Sequence, residues 1–301
     1  MAVKRKTIAV IGTGDMGHAV GGALARAGYR VVTAGEGRAA LSRRLAAEAG
    51  IEDLGSLEAA VRAVGLVLSI VPPAAAPSFA ASAVRAMQTA GVRPAFADCN
   101  AVAPATVRTI AEIVLPSGAP FIDVGIVGRG PKPAGGDRTR FYVSGAAREA
   151  VLELVTPELE LVDLGAEVGT ASAMKMAYSG LNKGTDALLT AVLLAAERLG
   201  VRGPLMRELE LSQTEALRRM RTRVPFLGAT AERFAPEMAE IAKTYDSVGV
   251  TPQFHRGAEW LYALVATTPY AAETRATQPT ERSLDETLAV LTAALDRKAH
   301  A

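Results

Sequence analysis

Ile8-Ala9-Val10-Ile11-Gly12-Thr13-Gly14-Asp15-Met16-Gly17 is the stretch that decides the fold of this chain. The four leading residues are apolar and mostly β-branched, the pattern of a strand buried on both faces. Three glycines follow at G-x-G-x-x-G spacing, and His18-Ala19-Val20-Gly21-Gly22-Ala23-Leu24-Ala25 then reads as a helix. Strand, glycine turn and helix start together form a dinucleotide-binding fingerprint. Gly12 permits the tight turn, Gly14 lets backbone approach a pyrophosphate, and Gly17 lets helix and strand pack closely. Thr13, Asp15 and Met16 complete the candidate nucleotide turn. The N–H groups and positive dipole end of the helix face the anion.

Outward from this turn, short apolar runs alternate with helical patterns. Tyr29–Ala34, Leu66–Val71, Ala95–Asp98, Pro120–Val124, Arg140–Ser144 and Leu159–Leu164 read as strands. Ala39–Ala49, Ala80–Thr89 and Pro104–Val114 read as helices, with another beginning near Ala147. Repeated βα units predict a Rossmann-type, doubly wound parallel sheet covered by helices on both faces. The pattern changes near Gly165. Ala171–Gly200 reads as one long helix, apolar nearly all round and so expected to be buried on every side. Pro204–Arg219, Ala231–Gly249, Thr251–Thr267 and Ser283–Ala299 follow as shorter helices. The expected organisation is a dinucleotide-binding domain over 1–166 and an all-α domain over 167–301, led by the long helix. Pro269–Pro279 is the expected mobile loop.

Composition narrows the class. The chain has 301 residues, half of them hydrophobic and 5% aromatic, which suits closely packed helices and parallel strands. A net charge of +2 implies no general attraction to nucleic acid or to a membrane surface. One cysteine, Cys99, excludes an internal disulfide and a multi-cysteine metal site, and no metal is expected. The basic start, Met1-Ala2-Val3-Lys4-Arg5-Lys6, runs straight into the first strand rather than into a cleavable leader. The longest apolar run, Ala187–Ala196, is too short to span a bilayer. The expectation is a cytoplasmic protein.

The end of strand two selects the dinucleotide. An acidic residue there holds the ribose 2′-hydroxyl of NAD, and an arginine accommodates the 2′-phosphate of NADP. Here the strand runs into Ala34-Gly35-Glu36-Gly37-Arg38, and the acidic position falls on Gly35. Arg38, Arg43 and Arg44 lie just beyond; the last two also suit a solvated helix face. Glu36 can still bond the ribose. NADP(H) is favoured over NAD(H).

Inside the long helix, Lys175 interrupts an apolar stretch, and Tyr178, Ser179 and Asn182 follow at i+3, i+4 and i+7 on its face. Buried polar groups need partners, so the stripe faces a cavity or another surface. Desolvation brings a lysine toward the range useful for proton transfer. The alternative is a lysine whose stem carries its charge out to solvent.

Gly12-Thr13-Gly14-Asp15-Met16-Gly17, Val71-Pro72-Pro73 after a strand, Asp98-Cys99-Asn100, Asp123-Val124-Gly125-Ile126-Val127-Gly128 and then Lys175 occur in one order. In that order the whole chain resembles the β-hydroxyacid dehydrogenases, which include 3-hydroxyisobutyrate and 6-phosphogluconate dehydrogenases and imine reductases. It looks most like a phosphogluconate-dehydrogenase-like branch. The resemblance implies Lys175 as the proton-transfer residue, Asn100 and Ser179 as substrate-orienting residues, and Val71 and Pro72 beside the cofactor. It also implies a homodimer with interlocked helical domains.

Departures from the family pattern bear on the substrate. A Ser-Gly-Gly substrate loop is common in the family; this chain has Val127-Gly128-Arg129. Ser179 stands where an asparagine is usual, and Asn182 stands where phosphogluconate dehydrogenases carry a protonating glutamate. An amide cannot supply that proton, so no oxidative decarboxylation of that type is expected. The family's second lysine falls near Pro236-Glu237 and is missing. Arg129, Lys132, Arg138 and Arg140 surround the loop Gly128–Gly136, which points to a small anionic substrate, a carboxylate, with Arg129 first in line. The same residues also suit a solvated loop. Asp98 is expected to brace its own turn, His18 to be structural and Cys99 inert. His255 is either a helix cap or a residue reaching a neighbouring active site.

The expected function is an NAD(P)-dependent oxidoreductase moving hydride between nicotinamide and a small hydroxy acid or its carbonyl counterpart. Lys175 serves as general acid and base. The alternatives are an imine reductase and a non-catalytic NADP(H)-binding sensor or scaffold.

Overall fold

The structure, a computed structural model, describes residues 6–133, 138–274 and 277–299. The chain divides into two compact units, one ending at Met176 and the other beginning at Ala177.

The first unit alternates strands and helices. In chain order these are β1 (Thr7–Ile11), α1 (Asp15–Arg26), β2 (Arg30–Thr33), α2 (Ala40–Glu48), β3 (Glu52–Asp53), α3 (Leu57–Arg62), β4 (Leu66–Ser69), α4 (Ala76–Ala90), β5 (Ala95–Asp98), α5 (Pro104–Val114), β6 (Phe121–Val127), β7 (Thr139–Ser144), α6 (Glu149–Leu152) and β8 (Leu159–Asp163). The strands form one sheet of order β3-β2-β1-β4-β5-β6-β7-β8. All neighbours are parallel except β6 and β7, which run antiparallel with Val127 opposite Arg140 and Asp123 opposite Ser144. The sheet is thus the doubly wound one expected, with one antiparallel pair that the βα reading did not foresee. β3 and α3 were also unforeseen: two exposed acidic residues and a single helical turn-and-a-half carry no periodic signal.

Strand alternation splits the core in two. Ala9 and Ile11 enter one cluster with Phe96, Phe121, Val107 and Ile110, while Ile8 and Val10 enter the other with Leu24, Leu68, Ile122 and Phe141. Phe96 and Phe121 stack at 6.2 Å between centroids. Burial on both faces explains why these strands read as continuous apolar runs.

The second unit is helical: the body of α7 (Thr170–Arg198), then α8 (Arg202–Ser212), α9 (Thr214–Arg223), α10 (Gly228–Asp246), α11 (Gln253–Ala266) and α12 (Leu284–Ala299). The single helix expected over Pro204–Arg219 is broken at Gln213, whose backbone (φ −140°, ψ 50°) leaves the helical region. Contrary to the all-round burial expected of the long helix, Leu181 and Leu188 of α7 are 71% and 62% exposed, and Leu199, in the turn just after it, is 74% exposed. The stretch expected to be mobile begins as a 3₁₀ turn, Pro269–Ala272. It is tied down by Arg282, which pairs with Glu273 and lies 3.7 Å over the Tyr270 ring; Arg275 and Ala276 lie outside the described residues. Among the described residues no helix is long and apolar enough to cross a membrane.

Candidate active site

The glycine turn has the geometry its spacing predicts. Gly12 sits at φ +97°, and a Cβ there would lie 2.3 Å from the Ile70 carbonyl oxygen. A Cβ on Gly17 would lie 2.0 Å from the Gly12 carbonyl oxygen, so α1 can approach β1 this closely only without a side chain. Gly14 differs: nothing lies within 4 Å of its Cβ direction, and it begins α1 with no side-chain cap. Open space over uncapped helical N–H groups is a cradle that a pyrophosphate fits. Thr13 is buried and donates to the Ser42 carbonyl at 2.8 Å, which ties the turn to α2. His18 Nδ1 bonds the Gly14 carbonyl at 2.7 Å, a structural contact. Asp15 is exposed and Met16 packs against the core.

At the end of β2 the structure supplies a carboxylate that the sequence had hidden. Asp53 Oδ1 accepts from the Gly35 N–H at 2.8 Å and the Gly55 N–H at 2.9 Å. Its Oδ2 would be 1.9 Å from a Cβ on Gly35, so the acid missing from β2 is replaced in space by one from β3. Glu36 is exposed, and Arg38 is half-buried with its guanidinium 5.9 Å from the Phe79 ring centroid. Arg43 donates to the Arg38 carbonyl at 2.7 Å, and Arg44 pairs with Glu48 on the solvated face of α2.

Across the carboxyl ends of the central strands runs a polar row. Ile11 pairs with Ser69, Ser69 with Asp98, Asp98 with Asp123, and Asp123 with Ser144. Ser69, Asp98, Asp123 and Ser144 are each at most 1% exposed. Asn100 knits the row to the next turn. Its Nδ2 donates to Asp98 Oδ2 at 2.7 Å and to Ser69 Oγ at 3.2 Å, and its Oδ1 accepts the Val71 N–H at 2.7 Å. With both amide hydrogens and its carbonyl engaged internally, Asn100 fixes Val71, and with it the exposed Pro72, beside the glycine turn.

Asp123 does the equivalent work for α7. Its Oδ2 accepts from the Gly169 and Ser172 N–H groups at 2.9 and 3.1 Å, and its Oδ1 accepts from Ser172 Oγ at 2.7 Å. Ser144 Oγ donates to the same carboxylate and accepts the Ala171 N–H, each at 3.1 Å. Four donors thus seat the first turn of the helix that carries Lys175. Gly125 completes the seat: a Cβ there would lie 2.5 Å from the Ala171 carbonyl oxygen and 3.1 Å from Lys175 Cβ. Lys175 is half-buried, and its charge acts on both Asp98 and Cys99. Burial pushes the Asp98 carboxyl up to about 7 and raises Asp123 despite its donors; it also raises the Cys99 thiol well above the usual range.

The loop after β6 lies against the start of α1. A Cβ on Gly130 would be 2.9 Å from Ala19 Cβ. Val127 is buried, Gly128 turns at φ +113°, and the Arg129 carbonyl accepts from Thr139 Oγ1 at 2.5 Å while its side chain is exposed. Arg140 lies 3.6 Å from Glu160 of β8 in a solvent-exposed ion pair. Ala134–Asp137 of this loop lie outside the described residues.

In the second unit, Ser179 is buried and Asn182 half-buried. Arg219 donates to Asn182 Oδ1 at 2.7 Å and, with Arg223, to the buried Asp186 carboxylate. His255 is 8% exposed, stacks 4.2 Å from the Tyr245 ring, and has no hydrogen-bond partner on either ring nitrogen among the described residues. Burial lowers its pKa from the ordinary histidine value. Asp53 and Arg219 were missed in the sequence, and Asp123 was noted only as part of a motif, because each acts through a tertiary contact that no local pattern encodes.

Comparison with known proteins agrees with this geometry. The family described as the NAD binding domain of 6-phosphogluconate dehydrogenase matches residues 7–168, more than half of the chain. A domain of unknown function (DUF1932) matches residues 196–265. No curated protein matches the chain. Among solved structures, a conserved hypothetical protein from Sinorhizobium meliloti 1021 is 27% identical, with 97% of each chain covered and a TM-score of 0.64. The conserved protein MTH1747, described as structurally similar to 3-hydroxyacid dehydrogenases, is 28% identical over 86% of this chain and 98% of its own, with a TM-score of 0.62. A Mycobacterium tuberculosis 3-hydroxyisobutyrate dehydrogenase, solved with L-serine, shares the fold at 19% identity, 96% and 99% coverage and a TM-score of 0.65.

Proposed function

This chain belongs to the β-hydroxyacid dehydrogenase superfamily, and on that premise we propose that it is an NAD(P)-dependent oxidoreductase that transfers hydride to or from the carbinol carbon of a small hydroxy acid. The observation that carries the reading is the seating of Lys175. The Asp123–Ser144–Ser172 contacts hold its helix at the strand ends, where the glycine turn also opens. Ligands of open α/β sheets bind at that edge.

A bound nicotinamide dinucleotide supplies the hydride acceptor or donor. The Gly12–Gly17 turn and the N–H groups of α1 hold its pyrophosphate. Arg38 favours NADP(H) by offering a guanidinium to a 2′-phosphate. Asn100 fixes the Val71-Pro72 turn that borders the nucleotide. Lys175 takes the hydroxyl proton in oxidation and returns it in reduction. Arg129 holds the substrate carboxylate. Along α7, Ser179 and Asn182 follow Lys175 at helical spacing, and we assign them substrate contacts. Asn182 holds the bond from Arg219 and has no acidic proton, which argues against decarboxylation of the phosphogluconate type.

We assign the exposed stripe of α7, Leu181 and Leu188, to a homodimer with interlocked helical domains. Large apolar side chains in a row on one helix face mark an interface. The test of the function is a panel of small hydroxy acids with NADP+ and NAD+, alongside cyclic imines with NADPH. Oxidation of at least one hydroxy acid is expected. Imine reduction alone would point to an imine reductase, and cofactor binding with no turnover to a sensor or scaffold.

A further inference from the structure

The glycine just past β2 is there for space. Gly35 is buried and its φ lies outside the left-handed region, so its backbone angle does not call for glycine. What excludes a side chain is Asp53: a Cβ on Gly35 would overlap Oδ2 and lie 2.7 Å from Cγ. The parallel pairing of β2 with β3 brings the acid there. Thr33 stands opposite Asp53, and the Leu54 N–H donates to the Thr33 carbonyl at 3.0 Å. A carboxylate thus stands where a side chain of residue 35 would project.

Its two oxygens are differently engaged. Oδ1 accepts from the Gly35 and Gly55 N–H groups at 2.8 and 2.9 Å, while Oδ2 accepts no hydrogen bond among the described residues. Asp53 is exposed to solvent, so Oδ2 is open to a ligand. The acid also lacks an ion-pair partner among the described residues. The other acid of β3, Glu52, projects to the opposite face and takes two bonds from Arg30, at 2.9 and 3.0 Å. Arg38 bounds the same turn. Its N–H donates to the Gly35 carbonyl at 3.1 Å, and its guanidinium rests 5.9 Å from the Phe79 ring centroid with no carboxylate partner among the described residues. Gly35 is therefore tied through its N–H to the acid and through its carbonyl to the backbone of the arginine.

We propose that Asp53 is a specificity-determining residue for the dinucleotide: its Oδ2 accepts the ribose 2′-hydroxyl of NAD(H), and its charge opposes the 2′-phosphate of NADP(H) that Arg38 attracts. The proposal rests on the reading of the Gly12–Gly17 turn as the nucleotide site. In sheets of this kind an acid at the end of the second strand bonds that hydroxyl, and here the acid comes from the neighbouring strand into the same place. A carboxylate is an acceptor only, so it takes a hydroxyl hydrogen and repels a phosphate. A guanidinium does the reverse. With both present the chain takes both dinucleotides, and Asp53 limits the preference for NADP(H) that Arg38 alone would give. Gly35 belongs to the device, because any larger residue there displaces the carboxylate.

The experiment is calorimetric titration of the full-length protein with NADH and with NADPH, comparing wild type, Asp53→Asn and Gly35→Ala. Asp53→Asn keeps an oxygen for the Gly35 and Gly55 N–H groups and places an amide nitrogen where Oδ2 was. A merely structural role for Asp53 would therefore leave both affinities in place. Wild type is expected to bind both dinucleotides. In Asp53→Asn, NADH binding weakens about tenfold, the scale of one hydrogen bond to a charged group. NADPH binding tightens by about threefold or more as the repulsion is lifted. Gly35→Ala pushes the carboxylate aside and moves the ratio of the two affinities in the same direction. If Asp53→Asn folds poorly, Gly35→Ala decides alone. A ratio that stays at the wild-type value in the folded variants overturns the proposal, as does a wild type that binds NADPH but not NADH. A wild type that binds neither dinucleotide overturns it together with the nucleotide reading. A shifted ratio without turnover of any hydroxy acid upholds the role of Asp53 and rejects the substrate reading alone.

Discussion

The Asp53 carboxylate occupies the place of the side chain that Gly35 lacks, with Oδ1 held by the Gly35 and Gly55 N–H groups. Two residues of opposite charge thus lie just past β2, Asp53 from β3 and Arg38, and on the proposed reading Arg38 takes the 2′-phosphate. Arg38→Ala is expected to weaken NADPH binding about 10- to 100-fold, the range of one charge-assisted hydrogen bond, and NADH binding far less. Fluorescence titration with both cofactors measures this. Equal losses would mean that Arg38 does not read the 2′-phosphate.

Gly125→Ala tests the seat of α7. The added methyl would lie 2.5 Å from the Ala171 carbonyl oxygen, a backbone atom that cannot swing aside. The expected cost is about 1–3 kcal/mol of stability from overpacking, with turnover reduced further than cofactor affinity. Thermal unfolding and steady-state kinetics check it. An unchanged melting temperature would show that the helix sits elsewhere.

Much of this was legible before any coordinates, for physical reasons. Ile8–Ile11 and Leu66–Val71 announced themselves because strands covered on both faces are apolar nearly throughout. Gly12 and Gly17 stood out because their spacing answers two backbone collisions. Lys175 stood out as a charge among apolar neighbours. Asp53, Asp123 and Gln213 did not. The first two matter through partners 18 and 49 residues away, Gly35 and Ser172, and the third through a backbone angle. Asn100 was read as facing the substrate, and its identity gave no hint that Asp98, Ser69 and Val71 would engage its whole amide.

His255 makes the stability of the helical unit depend on pH. Burial lowers its pKa below the ordinary value of about 6.5 expected in the unfolded chain. Between those two values the unfolded chain binds more protons than the folded one, so stability falls as pH falls through that window. Above the unfolded value the contribution is complete. His255→Phe keeps a ring against Tyr245 and removes the titrating group, so the variant is expected to lose less stability than wild type on going from pH 7 to pH 5. Urea unfolding at both values measures this. Parallel losses in the two proteins would exclude His255 as the source.

The exposed stripe of α7 predicts the oligomeric state. Leu181→Glu combined with Leu188→Glu places two charges on a face now apolar. Sedimentation velocity is expected to show a dimer for wild type and a monomer, or a dimer at least about tenfold weaker, for the double variant. A wild-type monomer at micromolar concentration would withdraw the dimer assignment.

The most direct test is single-turnover kinetics of Lys175→Met, with any hydroxy acid that the wild type oxidises. Hydride transfer is expected to slow by about a hundredfold to ten-thousandfold, the range of general acid–base catalysis, while the dissociation constant for NADPH stays within about twofold of wild type. Hydride transfer at the wild-type rate in that variant would contradict the account.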